Sequence, residues 1–234
     1  MQDLPSYIAQ VFLITTLVAV LLFYLASHRS RTTLVVIIIW ILVQSTLGFF
    51  GFYVLAASNP PRILLLVLPP ILLIVGLFNT APGKKYIDQF DTGILTLLHV
   101  VRIPVEIVLF WLSVHKAVPE LMTFTGRNFD VFSGLTAPLI FYFGYFEKKL
   151  RSPLILIWNC ICVGLLLNIV CYAVLSAPLP IQAFAFDQPN VAVLHFPFNL
   201  LPACMVPLVL FSHLVCIRQI IYPPKLIVKG SVIS

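Results

Sequence analysis

IAQVFLITTLVAVLLFYLAS, residues 8–27, contains no acidic or basic side chain. An α-helix rises about 1.5 Å per residue, so a run of this length covers the roughly 30 Å hydrocarbon layer of a bilayer. Six further stretches approach the same length and apolarity, at 33–56, 62–79, 93–115, 131–146, 153–176 and 197–220. We therefore expect an all-α fold, a polytopic transmembrane helix bundle of about seven spanning helices. It forms one domain over residues 1–222, followed by a short cytoplasmic tail at 223–234. Two segments fit least well. Residues 62–79 contain Pro69 and Pro70, while 131–146 is short and carries Ser133, Gly134, Thr136, Pro138 and Gly144. A re-entrant 131–146 is the main rival to a seventh span.

Composition points the same way. Hydrophobic residues make up 61% of the chain, charged residues 9%, and the mean hydropathy is +1.07, against about 45–50% apolar and about 25% charged in ordinary soluble domains. A water-soluble fold of this size has no way to hide so much apolar side chain, because much of any folded surface still faces solvent. The expected partner is the lipid bilayer. The formal net charge of +6 does not indicate nucleic acid, because the cations are scattered through short connections between apolar runs. The five cysteines, Cys160, Cys162, Cys171, Cys204 and Cys216, all sit inside apolar stretches, which suggests neither a disulfide framework nor a zinc module.

Alternating the connections places Arg29, Arg31, Lys84, Lys85, Lys148, Lys149, Arg151, Arg218, Lys225 and Lys229 on one side, ten of the 14 basic residues. The other side receives Arg62, Lys116 and Arg127, and Arg102 stays within the fourth segment. The positive-inside rule then puts the amino terminus outside and the carboxyl terminus in the cytoplasm, in a plasma (inner) membrane. Without a spanning fifth segment the best split is nine against four, a smaller bias. The first segment has Asp3 and no cation before it, so it reads as an uncleaved helix rather than a secretory signal.

Ionisable groups at membrane depth are costly and mark functional sites by default. The fourth segment has three, His99, Arg102 and Glu106, at i, i+3 and i+7 on one helical face. The plain structural expectation is an ion pair between Arg102 and Glu106 one turn apart. Pro104 between them lacks the N–H that would reach the Val100 carbonyl and predicts a kink. The outer loop adds Arg127, Asn128 and Asp130. Asn128 or Asp130 is expected to cap the next helix, and the functional alternative is a lid or mouth over the fourth-segment face. His195 precedes a last segment bearing Pro197, Pro202 and Pro207, together with Asn199 and His213. His99 and His213 stand at matched depth, roughly 6–8 Å from the cytoplasmic end at about 1.5 Å per residue. They could face each other as ligands of a haem or a metal, although no cofactor is expected. Gln44, Asn159 and Asn168 read as interhelical hydrogen bonds.

There is no HExxH, Walker-type loop, GxSxG or paired-cysteine motif. We expect a small membrane-embedded binding or transport protein with a buried polar site on the fourth helix. Its ligand-binding residues would be His99, Arg102, Glu106, Arg127, Asn128, Asp130 and His195, acting on a small polar or anionic ligand. One alternative is a membrane enzyme acting on a lipid-borne substrate with a His base and a carboxylic acid. The other is a structural or partner-binding subunit. The sequence does not fix the oligomeric state.

Overall fold

The structure, a computed structural model, describes residues 4–54 and 61–223. Nearly all of the expected tail at 223–234 lies outside the described residues, as do the last two positions of the expected second segment. The fold is all-helical, with no strand among the described residues. Its helices are α1 (Ser6–Ala26), α2 (Arg31–Phe49), α3 (Leu64–Asn79), α4 (Ala81–Ile87), α5 (Thr92–Val114), α6 (Val131–Phe146), α7 (Ser152–Leu175) and α8 (Leu201–Ile221). Five of them, α1, α2, α5, α7 and α8, are long and apolar enough to cross a membrane. The expected third segment, 62–79, holds only α3, which turns by 98° into α4, and the expected fifth is the shorter α6.

The corner between α3 and α4 follows from three neighbouring residues. Thr80 leaves the helix in extended geometry, and its hydroxyl accepts from the Gly83 N–H at 3.3 Å. Pro82 follows in the first turn of α4, where a missing N–H costs nothing. A Cβ on Gly83 would stand 2.3 Å from the Leu77 carbonyl oxygen, so only glycine permits the approach. At its far end α4 is held to α8: Arg218 grips Asp88 with Nε and Nη2 at 2.9 and 3.1 Å. The Gln219 amide donates to the Ile87 and Phe90 carbonyls at 3.1 and 3.0 Å, in and just after the end of α4.

Prolines inside helices free carbonyls one turn earlier, and polar side chains of α2 answer two of them. Pro207 cannot bond the Ala203 carbonyl, which instead accepts from the Trp40 indole N–H at 2.8 Å within a π-type turn at Leu201–Met205. Pro69 likewise releases the Leu65 carbonyl, which accepts from the Gln44 amide at 3.4 Å. The Gln44 oxygen takes the Tyr53 hydroxyl, and its backbone carbonyl accepts from Asn199 at 2.7 Å. In an apolar medium an unmet carbonyl costs several kcal/mol, so these bonds fix where α2 lies.

Helices α5 and α8 form the interior. About 61% and 56% of an apolar 18-residue stretch in each is buried, against 17% for α2. Helix α5 packs on α1, α6 and α8, and α7 packs on α8. Phe23, Phe90 and Phe211 join α1, the α4–α5 connection and α8, with ring centroids 5.2 to 5.4 Å apart. Large apolar side chains such as Leu17, Leu42 and Ile161 face outward, a surface suited to lipid rather than water.

Candidate functional site

Helix α5 changes pitch where its ionisable residues begin. Thr92–Leu98 is α-helical, His99–Val101 is a 3-10 turn, and the α-helix resumes at Arg102. The disturbance predicted by Pro104 thus takes the form of a tightened turn within one continuous run, Thr92–Val114. His99, Arg102 and Glu106 are all buried, at 0%, 3% and 2% exposure.

Arg102 does not pair with Glu106. Its Nη1 donates to Asp130 Oδ1, a buried ion pair between α5 and the start of α6. The close approach of α6 makes this partner available. At Gly134 a Cβ would stand 2.9 Å from Ile103 Cγ1 and 3.2 Å from Arg102 Cβ, so a bare Cα lets the α6 backbone rest on α5 at this level. The guanidinium then reaches across to α8, with Nη2 3.1 Å from His213 Nε2. His213 Nδ1 lies 2.8 Å from Asn159 Oδ1 on α7, and the Asn159 amide nitrogen donates to the Ile155 carbonyl at 2.9 Å. Helices α5, α6 and α8 therefore meet at Arg102, and α7 joins them through His213.

Glu106 is held from the loop that precedes α6. Asn128 Nδ2 donates to Glu106 Oε1 at 2.6 Å and to the Met122 carbonyl at 3.1 Å, while its Oδ1 accepts the Asp130 N–H at 3.0 Å. Neither Asn128 nor Asp130 provides the expected side-chain cap. Asp130 occupies the capping position with no such bond, because its carboxylate is turned inward to Arg102. The turn that brings the loop back needs Gly126, where a Cβ would stand 2.2 Å from the Glu120 carbonyl oxygen.

His99 and His213 do meet, face to face, with ring centroids 3.8 Å apart and planes 10° from parallel. Trp158 lies 5.7 Å from each ring, and its indole N–H donates to Thr136 at 2.9 Å. The stacked faces do not aim two nitrogens at a common centre. Among the described residues no group of three or more His, Cys, Asp or Glu side chains is placed to hold a metal ion.

Two of the expected site residues lie elsewhere. The Arg127 side chain is exposed and donates to the Tyr172 hydroxyl at 3.3 Å, which raises the guanidinium pKa further. His195 lines a separate cleft of about 250 Å³ between the start of α1, the end of α2 and residues 195–198. Its Nδ1 donates to the Val191 carbonyl at 3.1 Å. Conversely, Asn159, read from the sequence only as an interhelical hydrogen bond, joins the centre through His213, and Trp158 and Gly134 join it without having been expected there.

Four buried polar atoms of the centre have no protein partner: both ring nitrogens of His99, Arg102 Nε and Glu106 Oε2. All belong to one face of α5. The described residues elsewhere leave three such atoms, one each on Ser176, Asn190 and Asn199. Buried polar groups are nearly always bonded, so this concentration on three neighbouring side chains sets the face apart.

Residues 60–221 match the family described as Domain of unknown function (DUF8737). The chain belongs to that family. The matched DUF8737 region holds every residue of the Arg102 centre, and it leaves out α1 and α2. No curated protein and no solved structure matches the chain.

Proposed function

We propose that this chain is an integral plasma (inner) membrane protein that binds or transports a small polar or anionic solute at the Arg102 centre. Seven membrane segments, including α3–α4 and α6, with the amino terminus outside and the carboxyl terminus cytoplasmic, give the larger charge bias. The observation that carries the functional reading is the group of unpartnered atoms on His99, Arg102 and Glu106. Arg102 Nε–H and the His99 nitrogens supply donors and acceptors for a carboxylate or carbonyl, and Glu106 Oε2 exchanges a proton. Asn128 and Asp130 form the wall toward the outer side, and exposed Arg127 gathers anions at the mouth.

Native mass spectrometry of the detergent-purified protein tests this directly. The wild-type chain is expected to carry a small-molecule adduct that Arg102→Lys loses and Arg127→Lys retains at lower occupancy. Lysine keeps the charge but loses the planar fork that matches a carboxylate. One observation favours a second reading, a purely structural ion-pair centre: Nη1 and Nη2 of Arg102 are both taken by protein groups. A wild-type spectrum with no adduct above the bare chain mass rejects binding and leaves that reading.

A further inference from the structure

Asn159 and His213 sit on adjacent helices and are bonded at 2.8 Å. Hydrogen-bond chemistry fixes every proton along the line they belong to. The Ile155 carbonyl only accepts, so the Asn159 atom facing it at 2.9 Å is the amide nitrogen. The amide oxygen therefore faces His213 Nδ1, and an oxygen acceptor requires Nδ1 to carry hydrogen. At the opposite edge of the ring, arginine only donates, so Nε2, 3.1 Å from Arg102 Nη2, must be bare. The two ends demand the same tautomer independently.

We propose that Asn159 is a positioning residue of the centre, fixing His213 as the Nδ1–H tautomer so that Nε2 holds and aims the Arg102 guanidinium. Asn159 is itself anchored by backbone within α7, so the line begins at a fixed point: Ile155 carbonyl, Asn159, His213, Arg102, Asp130. The hydrogen bond made by one ring nitrogen sets whether the other is available, as it does for metal- and substrate-facing imidazoles. The stacked histidines thereby take different tasks. His213 is committed at both nitrogens, and His99, with neither nitrogen bonded, is the imidazole open to a solute. This deepens the binding reading proposed above, but its test needs no solute, so the two fail separately.

The test is nitrogen-15 NMR of the full chain with labelled histidine, in lipid nanodiscs. His28, His115 and His195 are replaced by glutamine, leaving His99 and His213. Wild-type Asn159 is expected to give one histidine with a protonated Nδ1 and a bare Nε2. That signal should persist in Arg102→Gln combined with Asp130→Asn, a neutral swap of the ion pair in which glutamine can offer either an oxygen or a nitrogen to Nε2. Adding Asn159→Leu to that background should abolish the single-tautomer signal and bring in the Nε2–H form. A wild-type spectrum without a protonated-Nδ1 histidine overturns the proposal before any centre variant is made. Loss of the tautomer in the neutral swap with Asn159 intact also overturns it, by showing that Arg102 sets the proton.

Discussion

Arg102 and Asp130 are opposite charges removed from water, and removing one leaves the other without compensation. Breaking a buried pair from one side costs about 3–5 kcal/mol, whereas replacing both partners by apolar groups is often neutral. Arg102→Leu should therefore lower the thermal unfolding midpoint in detergent sharply, and Arg102→Leu with Asp130→Leu should recover most of the loss. Equal midpoints for the single and double variants would show that the pair is not formed. Gly134 is the second sensitive position. Gly134→Val inserts carbon where Ile103 Cγ1 would be 2.9 Å from the first added atom, and overpacking of this kind costs about 1–3 kcal/mol. Gly164→Ala, with nothing within 4 Å of its Cβ and inside α7, is the uncrowded control and should not lower the midpoint. The sequence shows His99, Arg102 and Glu106 on one helical face because a 3.6-residue period is a local property. It points to the wrong partner for Arg102, since the nearest carboxylate along the helix is Glu106, and the approach of Asp130 depends on how closely α6 packs.

At the scale of elements, the weakest expectations fell on 62–79 and 131–146, two segments that carry helix-breaking residues in mid-run. The first is part of a 98° corner and the second a shorter helix ending in a π-type turn, Phe141–Phe146. Apolar length alone does not say whether α6 crosses the layer, but labelling can. Single cysteines at Thr125 and Lys149, both exposed, should react with a membrane-impermeant maleimide from opposite sides of sealed vesicles. Reaction from the same side would make α6 re-entrant and remove it from the count of seven. Trp40 shows a signal that sequence does carry: a proline inside a helix announces a carbonyl in need of a donor. Trp40→Phe leaves the Ala203 carbonyl without its donor and should lower the unfolding midpoint by an amount corresponding to about 1–3 kcal/mol.

For the whole molecule, lipid as the surrounding solvent predicts that the chain stays with membranes through an alkaline carbonate wash and is released only by detergent. Protease added to sealed vesicles with the cytoplasmic face inward should remove an amino-terminal tag and spare a carboxyl-terminal one. The reverse pattern would overturn the orientation drawn from ten basic residues against three. Composition and run length by themselves determine that this chain is a bundle of apolar helices, because each such helix satisfies its own backbone and needs only a solvent that tolerates its side chains. The location of the ionisable residues on α5 is equally local. Tertiary structure alone decided the rest: that Asp130 rather than Glu106 takes Arg102, that Asn159 holds His213, and that Arg127 and His195 stand apart from the centre. Those outcomes depend on interhelical distances of a few ångströms, set by Gly134, by prolines and by the bonds that answer their freed carbonyls, and no periodicity within one helix records them.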